Sequence, residues 1–158
     1  MDKNKAVITF LMTCPYIANS PLFYNFGKVG SENKQVQTLA NDVKTNTTFV
    51  DGSVKKMYTF TIIVYKTLSD RAILNRAGAS DENIDGAYAV QQILDWVNTQ
   101  AKARSFPDFG EDCSIDDMVA VTNEPNLNGV DKAVTPVLAK YSISIRIDYI
   151  DYSDAVWK

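Results

Sequence analysis

The chain has 158 residues, of which 46% are hydrophobic and 22% are charged, and its formal net charge at pH 7 is -3. These values are typical of a globular protein, and we expect one domain over residues 1–158. The lysines and arginines form no basic block, and no stretch approaches the roughly 20 apolar residues of a membrane-spanning helix, which argues against nonspecific nucleic-acid binding and a membrane anchor. Cys14 and Cys113 belong to no Cys-x-x-Cys pair, so two idle thiols are favoured over a disulfide.

The first third of the chain predicts a helix and two weak strands. Residues 3–14 carry apolar side chains at helical spacing and end at Pro15, although a Val-Ile-Thr run inside them leaves a strand open. Residues 22–26 precede a glycine and predict a short strand. The thinly hydrophobic residues 34–50 fit a solvent-facing or edge strand better than a core strand.

A long strand follows a predicted tight turn. Asp51-Gly52 is a strong turn signal, and it joins residues 48–50 to an alternating run over residues 56–66. That run is apolar on both faces over residues 62–64, which is the pattern of a strand at the centre of a sheet.

The clearest predicted helix lies in the middle of the chain. Residues 68–80, which precede it, fit either a short helix or an irregular connection. Apolar side chains then recur at helical spacing over residues 90–101. We expect a helix capped by Asn83 or Asp85 that ends near Arg104 and lies on a sheet with its apolar face buried.

The last third of the chain predicts strands. Residues 115–122 predict one strand and residues 123–129 a turn-rich loop, and a further strand begins near residue 136 and continues through residues 141–152. In that last run tyrosines and isoleucines alternate with Ser, Arg and Asp, so one face is predicted to be buried. The alternation slips at Ile150, where we expect a bulge or a departure from the core. The element order indicates an α+β fold, with an antiparallel or mixed sheet of long hairpin strands packed against one long helix and an N-terminal helix.

The residues that usually carry catalysis are scarce. The sequence contains no histidine, the commonest general base and metal ligand. The adjacent acids Asp116 and Asp117 would point to opposite faces of a strand and would not converge on one substrate. Residues 124–129 imitate a calcium loop, but Thr135 occupies the place of its bidentate acid, so an ordinary loop is favoured. We therefore expect no catalytic residues, no metal and no cofactor.

Self-assembly is the favoured prediction. The two long strands carry more apolar and aromatic surface than one or two helices are expected to cover, and such surface usually forms subunit contacts. The competing prediction is a small carboxylate-dependent enzyme or a secreted binding module, in which Asp116, Asp117 or Glu124 would act. For contacts between subunits or with a larger assembly we expect six hairpin residues: Asp51, Gly52, Ser53, Lys55, Lys56 and Tyr58.

Three motifs, taken together, resemble a known family. They are Phe49-Val50-Asp51-Gly52-Ser53-Val54-Lys55-Lys56-Met57-Tyr58-Thr59-Phe60, then Ile93-Leu94-Asp95-Trp96-Val97 with Pro107 downstream, then Ala139-Lys140-Tyr141-Ser142-Ile143 leading to Ile147-Asp148-Tyr149. Over about residues 35 to 152 the chain resembles small tail-terminator proteins, also called tail-completion or minor capsid proteins, of phages and phage-like particles of Gram-positive bacteria. The shared motifs are structural, and they carry no catalytic residues over to this chain.

The resemblance implies a structural virion protein, made in the cytoplasm of the bacterial host. It would form a homohexameric ring at the head-proximal end of the tail tube, stop tube polymerisation and provide the joint to the neck and head. The implied partners are further copies of the chain, the tail tube protein, neck or head-completion proteins and, in a contractile tail, the sheath protein. Genomic DNA would pass through the ring without sequence-specific binding. Another head-tail connector ring protein is the alternative within this class.

Overall fold

The computed structural model of the chain describes residues 2–18, 22–24, 33–39, 46–67, 82–121, 126–131 and 138–156. Within these ranges lie two helices, α1 (Lys3–Leu11) and α2 (Glu82–Lys102). The strands are β1 (Leu22–Tyr24), β2 (Asn33–Leu39), β3 (Thr47–Thr48), β4 (Val54–Thr67), β5 (Cys113–Ala120), β6 (Asn126–Asp131) and β7 (Leu138–Asp151).

The strands form one mixed sheet in the order β1-β2-β4-β7-β5, with β3 paired to β4 and β6 paired to β7. The β1–β2 pairing is parallel and the others are antiparallel. The longest pairing joins β4 to β7 and runs without a register shift from Val54 opposite Asp151 to Thr67 opposite Leu138. The predicted α+β fold with two long strands and two helices is thereby confirmed.

The apolar side of β4 and β7 faces both helices. Its buried residues are Phe60, Ile62, Val64, Tyr141, Ile143, Ile145, Ile147 and Tyr149. They share one core with Val7 and Leu11 of α1 and with Ile93 and Leu94 of α2. Because side chains of a strand alternate between faces, the intervening polar residues lie on the other side of the sheet. We call these residues the polar face: Thr59, Thr61, Ser142, Ser144, Arg146 and Asp148.

The structure corrects the expectation of surplus apolar surface on the long strands. Among the residues of β4 and β7 whose burial the structure describes, no large apolar side chain is exposed: α1 and α2 of the same chain cover the apolar side, and Ile63, on the other side, is only 5% exposed. The polar face is joined internally by a hydrogen bond between the hydroxyls of Thr61 and Ser144 (3.0 Å) and by an ion pair between Arg146 and Asp148 (3.0 Å). The exposed large apolar side chains of the described residues therefore lie outside β4 and β7.

Both predicted helices are present, with different ends. The alternative of a strand at the N-terminus is excluded, and α1 ends at Leu11 rather than Cys14. Asp2 caps α1, since its Oδ1 accepts hydrogen bonds from the backbone N–H groups of Asn4 (2.9 Å) and Lys5 (3.4 Å). The proposed caps of α2 are wrong in position, because that helix begins at Glu82 and its first turn contains both residues offered as caps.

The solvent-facing or edge strand predicted over residues 34–50 is confirmed for the exposed β3 and wrong for β2, and the loop predicted over residues 123–129 is wrong from Asn126 onwards. β2 is an inner strand, placed between β1 and β4, and its Val36 is completely buried. Lys34 is buried as well, and it misled the prediction because a lysine counts as polar although its aliphatic stem can pack on apolar surface. Residues 126–129, predicted as loop, begin β6, whose pairing with β7 shifts register between Leu127 and Gly129. This segment is a strand because its backbone pairs with β7, and its sequence of side chains does not alternate in a way that would have predicted it.

The slip of the pattern at Ile150 does not mark a bulge in β7. Ile150 keeps its place opposite Lys55 in an unbroken pairing with β4, and it lies half-buried on the opposite side of the sheet from Tyr149. The register shift is in β5, between Ile115 and Asp117. The end of the short strand predicted after Tyr24 and the ambiguous connection over residues 68–80 lie outside the described residues.

Candidate interaction surface

The hairpin formed by β3 and β4 ends in a tip that exposes apolar side chains. Val50 is fully exposed, Phe49 is 42% exposed, and Val156 from the C-terminal turn is 72% exposed beside them. We call Phe49, Val50 and Val156 the apolar knob. Clustered apolar side chains on a protruding turn are typical of a surface that contacts another protein.

Hydrogen bonds within the turn hold the tip in place. The Phe49 N–H donates to the Ser53 carbonyl (2.8 Å), and the Gly52 N–H donates to the Phe49 carbonyl (3.0 Å). Asp51 Oδ1 accepts from the hydroxyl (2.6 Å) and the backbone N–H (3.0 Å) of Ser53. These two bonds hold the pKa of Asp51 below its ordinary value, because they favour the charged carboxylate. The turn is therefore ordered by its own Asp-Gly-Ser sequence.

A second turn of the same kind lies next to the tip. Asp151 Oδ1 accepts from the hydroxyl (2.7 Å) and the backbone N–H (2.9 Å) of Ser153, as Asp51 does from its own serine. The two turns are adjacent because Asp151 is paired with Val54. The chain then folds back, and the Val156 N–H donates to the Asp51 carbonyl (2.7 Å). The C-terminal turn thus clamps the hairpin tip and adds Val156 to the knob.

The predicted contact residues lie on this hairpin, but the chain itself already engages most of them. Ser53 is buried. Lys55 Nζ lies 3.2 Å from a carboxylate oxygen of Asp116, and Lys56 Nζ lies 2.9 Å from one of Asp151. The six predicted contact residues do not include Phe49, Val50 or Val156 of the apolar knob. The Phe-Val pair directly before the Asp-Gly turn was a signal that could have indicated the knob, whereas only the fold could place Val156 there.

Tyr58, the last of the predicted contact residues, belongs to an internal aromatic cluster. Its hydroxyl donates to Asn4 Oδ1 of α1 (2.6 Å), and its ring centroid lies 5.7 Å from that of Phe109. Phe109 in turn meets Tyr149 edge to face at 5.3 Å, and Lys3 Nζ lies 5.4 Å from the Tyr149 ring centroid. Burial raises the pKa of the Tyr58 phenol. The cluster fastens the start of α1 to the sheet and leaves Tyr58 little contact surface.

The two adjacent acids considered for catalysis share a face, contrary to the prediction. The β5 bulge leaves Asp116 without a partner in β7 and places Asp117 opposite Asp148 on the polar face. Asp116 reaches Lys55 on that same side. The Asp117 carboxylate accepts a hydrogen bond from the Met118 N–H (2.8 Å), and both acids are exposed. The prediction assumed that side chains alternate regularly along β5, and it failed because the bulge inserts one extra residue at Asp116.

Among the described residues, the acidic and cysteine side chains form no group of three that could hold a metal ion. Glu124, the third acid considered for catalysis, lies outside the described residues. Cys14 and Cys113 are free, and burial raises the pKa of both thiols, which lowers their reactive thiolate fraction at neutral pH.

A groove runs between α1 and the segment that follows α2. It has a volume of about 580 Å³, which falls within the range of roughly 300–1,000 Å³ of small-molecule pockets. Its lining residues are Asp2, Lys5, Ala6, Thr9, Phe10, Thr13, Phe106, Pro107 and Asp108. Of the two acids, Asp2 caps α1 and Asp108 accepts a hydrogen bond from the Gly110 N–H (2.9 Å), so both carboxylates have structural partners.

Comparison with known proteins adds no relative: no family model matches the chain, and no curated protein matches it. Among the described residues, neither helix is both long and apolar enough to cross a membrane.

Acid is expected to weaken the C-terminal turn. The Ser153 hydroxyl and N–H, and then Lys56, hold the pKa of Asp151 below its ordinary value of 3.8. Because the folded protein binds this proton less readily than the unfolded chain, Asp151 stabilises the fold above pH 3.8, and this contribution is lost as the pH falls through the lower folded pKa. We expect Asp151→Asn to lower the free energy of unfolding by about 1–2 kcal/mol at pH 7.

The measurement is urea unfolding at pH 7 and at pH 3, with Asp95→Asn as the control. Asp95 lies exposed on α2, where its carboxylate accepts only from the Gln91 side chain and carries no ion pair with another described residue. Asp151→Asn should show a smaller loss of stability between the two pH values than the wild type, and Asp95→Asn should follow the wild type. Equal pH dependence in all three proteins would contradict the role of Asp151.

Proposed function

We propose that this protein is a structural subunit of a ring at the head-proximal end of a phage tail tube, where it stops tube polymerisation and forms the joint to the neck and head. The apolar knob carries the proposal. Phe49, Val50 and Val156 are exposed on a turn that two sets of hydrogen bonds hold rigid. A rigid apolar protrusion is suited to contact with another protein, because little conformational entropy is lost when it binds.

The manner in which the chain is built permits the same function. Both helices pack on the apolar side of the sheet within one copy, so a subunit can fold before it assembles. Contacts between such subunits depend on protrusions and grooves on the surface rather than on a shared core. The resemblance of the hairpin, the Trp96 helix and the last strand to tail-terminator proteins supplies the specific assembly.

The proposed partners follow from the position in the particle. Further copies of the chain, in a homohexamer, would form the ring, and the tail tube protein and neck proteins would bind its two ends. The sheath protein would join them in a contractile tail, and DNA would pass through the ring without sequence-specific contacts. The protein would then be found in the virion.

Deletion of the gene from the phage or phage-like element that carries it tests the proposal. We expect tails that are overlong or not joined to heads when particles are measured by electron microscopy. The wild-type gene should restore normal tails and Val50→Asp should not, because a charge on the knob opposes burial in a contact. Val121→Asp, at an exposed valine after β5, is the matched control and should restore them.

Two other outcomes are informative. Tails of normal length that remain detached from heads would assign the protein to another connector ring instead. Normal, joined tails after deletion would contradict both assignments. Genes for a tail tube protein and head-completion proteins beside this gene are expected if the proposal is correct.

A further inference from the structure

We propose that Arg104 and Asp117 close the free edge of β5 and so prevent this strand from pairing with the β5 of a second copy. We call these two residues the edge guard. Among the described strands β5 pairs only with β7, so its other side is an edge of the sheet. An unpaired strand edge presents backbone N–H and C=O groups to which a strand of another molecule can bind.

One hydrogen bond shows which N–H groups of β5 point to the free edge. The Val121 N–H donates to the Ser144 carbonyl (2.8 Å) and therefore points to β7. Successive residues of an antiparallel strand direct their backbone groups alternately to its two sides, and the register from Asp117 to Ala120 is unbroken. The Asp117 N–H thus points to β7, whereas the N–H groups of Met118 and Ala120 point to the free edge.

The edge guard occupies two adjacent backbone groups at the bulge. The Met118 N–H donates to the Asp117 carboxylate (2.8 Å). The Asp116 carbonyl shares a trans peptide with the Asp117 N–H, so it points away from β7 and to the free edge. The Arg104 guanidinium donates to this carbonyl (3.3 Å). A further strand would have to displace both charged side chains before it could form hydrogen bonds there.

The backbone of Arg104 indicates that its side chain has a role. Its φ of +55° lies in the left-handed region, which glycine adopts at much lower cost. Arg104 follows α2 at the place where helices commonly end in glycine, and the Ser105 N–H donates to the Gln100 carbonyl (2.9 Å) across it. The guanidinium lies over the Phe106 ring at 5.2 Å, which helps to hold it beside β5.

A second copy of β5 is the strand that an open edge would bind. Two identical antiparallel edges related by a two-fold axis present the same groups to each other, so the contact is self-complementary. Such pairing would join two sheets edge to edge, which natural proteins commonly prevent with charged side chains and bulges. The edge guard is independent of the proposed ring, because it acts on free copies whatever structure they later build.

Removal of the edge guard tests its role. Arg104→Gly keeps the turn after α2, since glycine suits that φ, and Asp117→Ala frees the Met118 N–H. In sedimentation experiments this double variant should associate at a severalfold lower concentration than the wild type. The matched control combines Lys102→Ala with Asp95→Ala, which also removes one cation and one anion from exposed positions, and should sediment as the wild type does.

Two further measurements locate the association on β5. Addition of Ala120→Pro to the double variant removes an N–H that a new strand needs, and proline is tolerated on an edge strand. This triple variant should sediment as the wild type does. Hydrogen exchange at the Ala120 amide of the double variant should slow as the protein concentration rises, whereas exchange in the wild type should not. Circular dichroism and thermal unfolding establish that each variant is folded.

Three results would overturn the edge guard. They are a double variant that sediments as the wild type does, association without slower exchange at Ala120, and association that a folded triple variant retains. None of them bears on the proposed ring, which gene deletion tests in the particle. Conversely, normal tails after deletion would refute the ring and leave the edge guard to stand on the sedimentation and exchange results.

Discussion

Replacement of Ile145 by alanine is expected to lower the free energy of unfolding by about 2–5 kcal/mol. Ile145 is completely buried in the middle of β7, opposite Phe60 of β4 and Ala120 of β5. The loss combines the removed apolar contacts with the cavity left under the helices, which a closely packed core cannot fill. Since small domains are stable by only about 5–15 kcal/mol, this single change is expected to remove a large share of the total.

Ile150→Ala is the matched control, because it removes the same atoms from the same strand. Ile150 lies half-buried on the opposite side of the sheet from Ile145, so its truncation should cost less than half as much. Urea unfolding followed by circular dichroism measures both variants. Similar losses at the two positions would mean that the two sides of β7 do not differ in burial as described.

The second large effect is expected at Gly52. Its φ of +90° is strained for any residue with a Cβ, and a Cβ there would lie 2.7 Å from the backbone oxygen of Asp154. Because that oxygen belongs to the clamping C-terminal turn, it cannot move aside as a flexible side chain would. We expect Gly52→Ala to lower the free energy of unfolding by about 1–3 kcal/mol and to loosen the tip.

Val50→Ala provides the comparison within the same turn. Val50 is fully exposed, so its truncation should change the free energy of unfolding by no more than about 0.5 kcal/mol. The two variants should therefore change different properties. Gly52→Ala should lower the free energy of unfolding, whereas Val50→Ala should mainly weaken assembly. If Gly52→Ala were as stable as the wild type, the close approach of the two turns would be refuted.

The long elements were predictable because their patterns are local and strong. The alternation in residues 141–152 and the apolar run over residues 62–64 required strands with a buried side, and the helical spacing over residues 90–101 required a helix. None of these depends on knowing the partner element. The pairing partner of each strand was not predictable in this way. Only the folded chain shows that β4 pairs with β7, although α2, β5 and β6 lie between them in the sequence.

The errors arose where long-range pairing outweighed local pattern. β6 is a strand because β7 offers its backbone hydrogen-bonding groups, not because its side chains alternate. Asp116 and Asp117 lie on one face because the bulge adds a residue to β5. The candidate surface shows the same division: the Asp-Gly turn was visible in the sequence, whereas the clamp that brings Val156 to it required the fold.

For this protein, the sequence by itself determined which stretches are helix or strand and which of their sides are apolar, because residue spacing sets the direction of each side chain. Only the tertiary structure decided that its own helices cover the apolar side of the sheet, and that the C-terminal turn meets the hairpin tip to leave three apolar residues exposed. Those outcomes depend on which distant segments pair and in what register, and such pairings are selected by the packing of the whole chain rather than by any local run of residues.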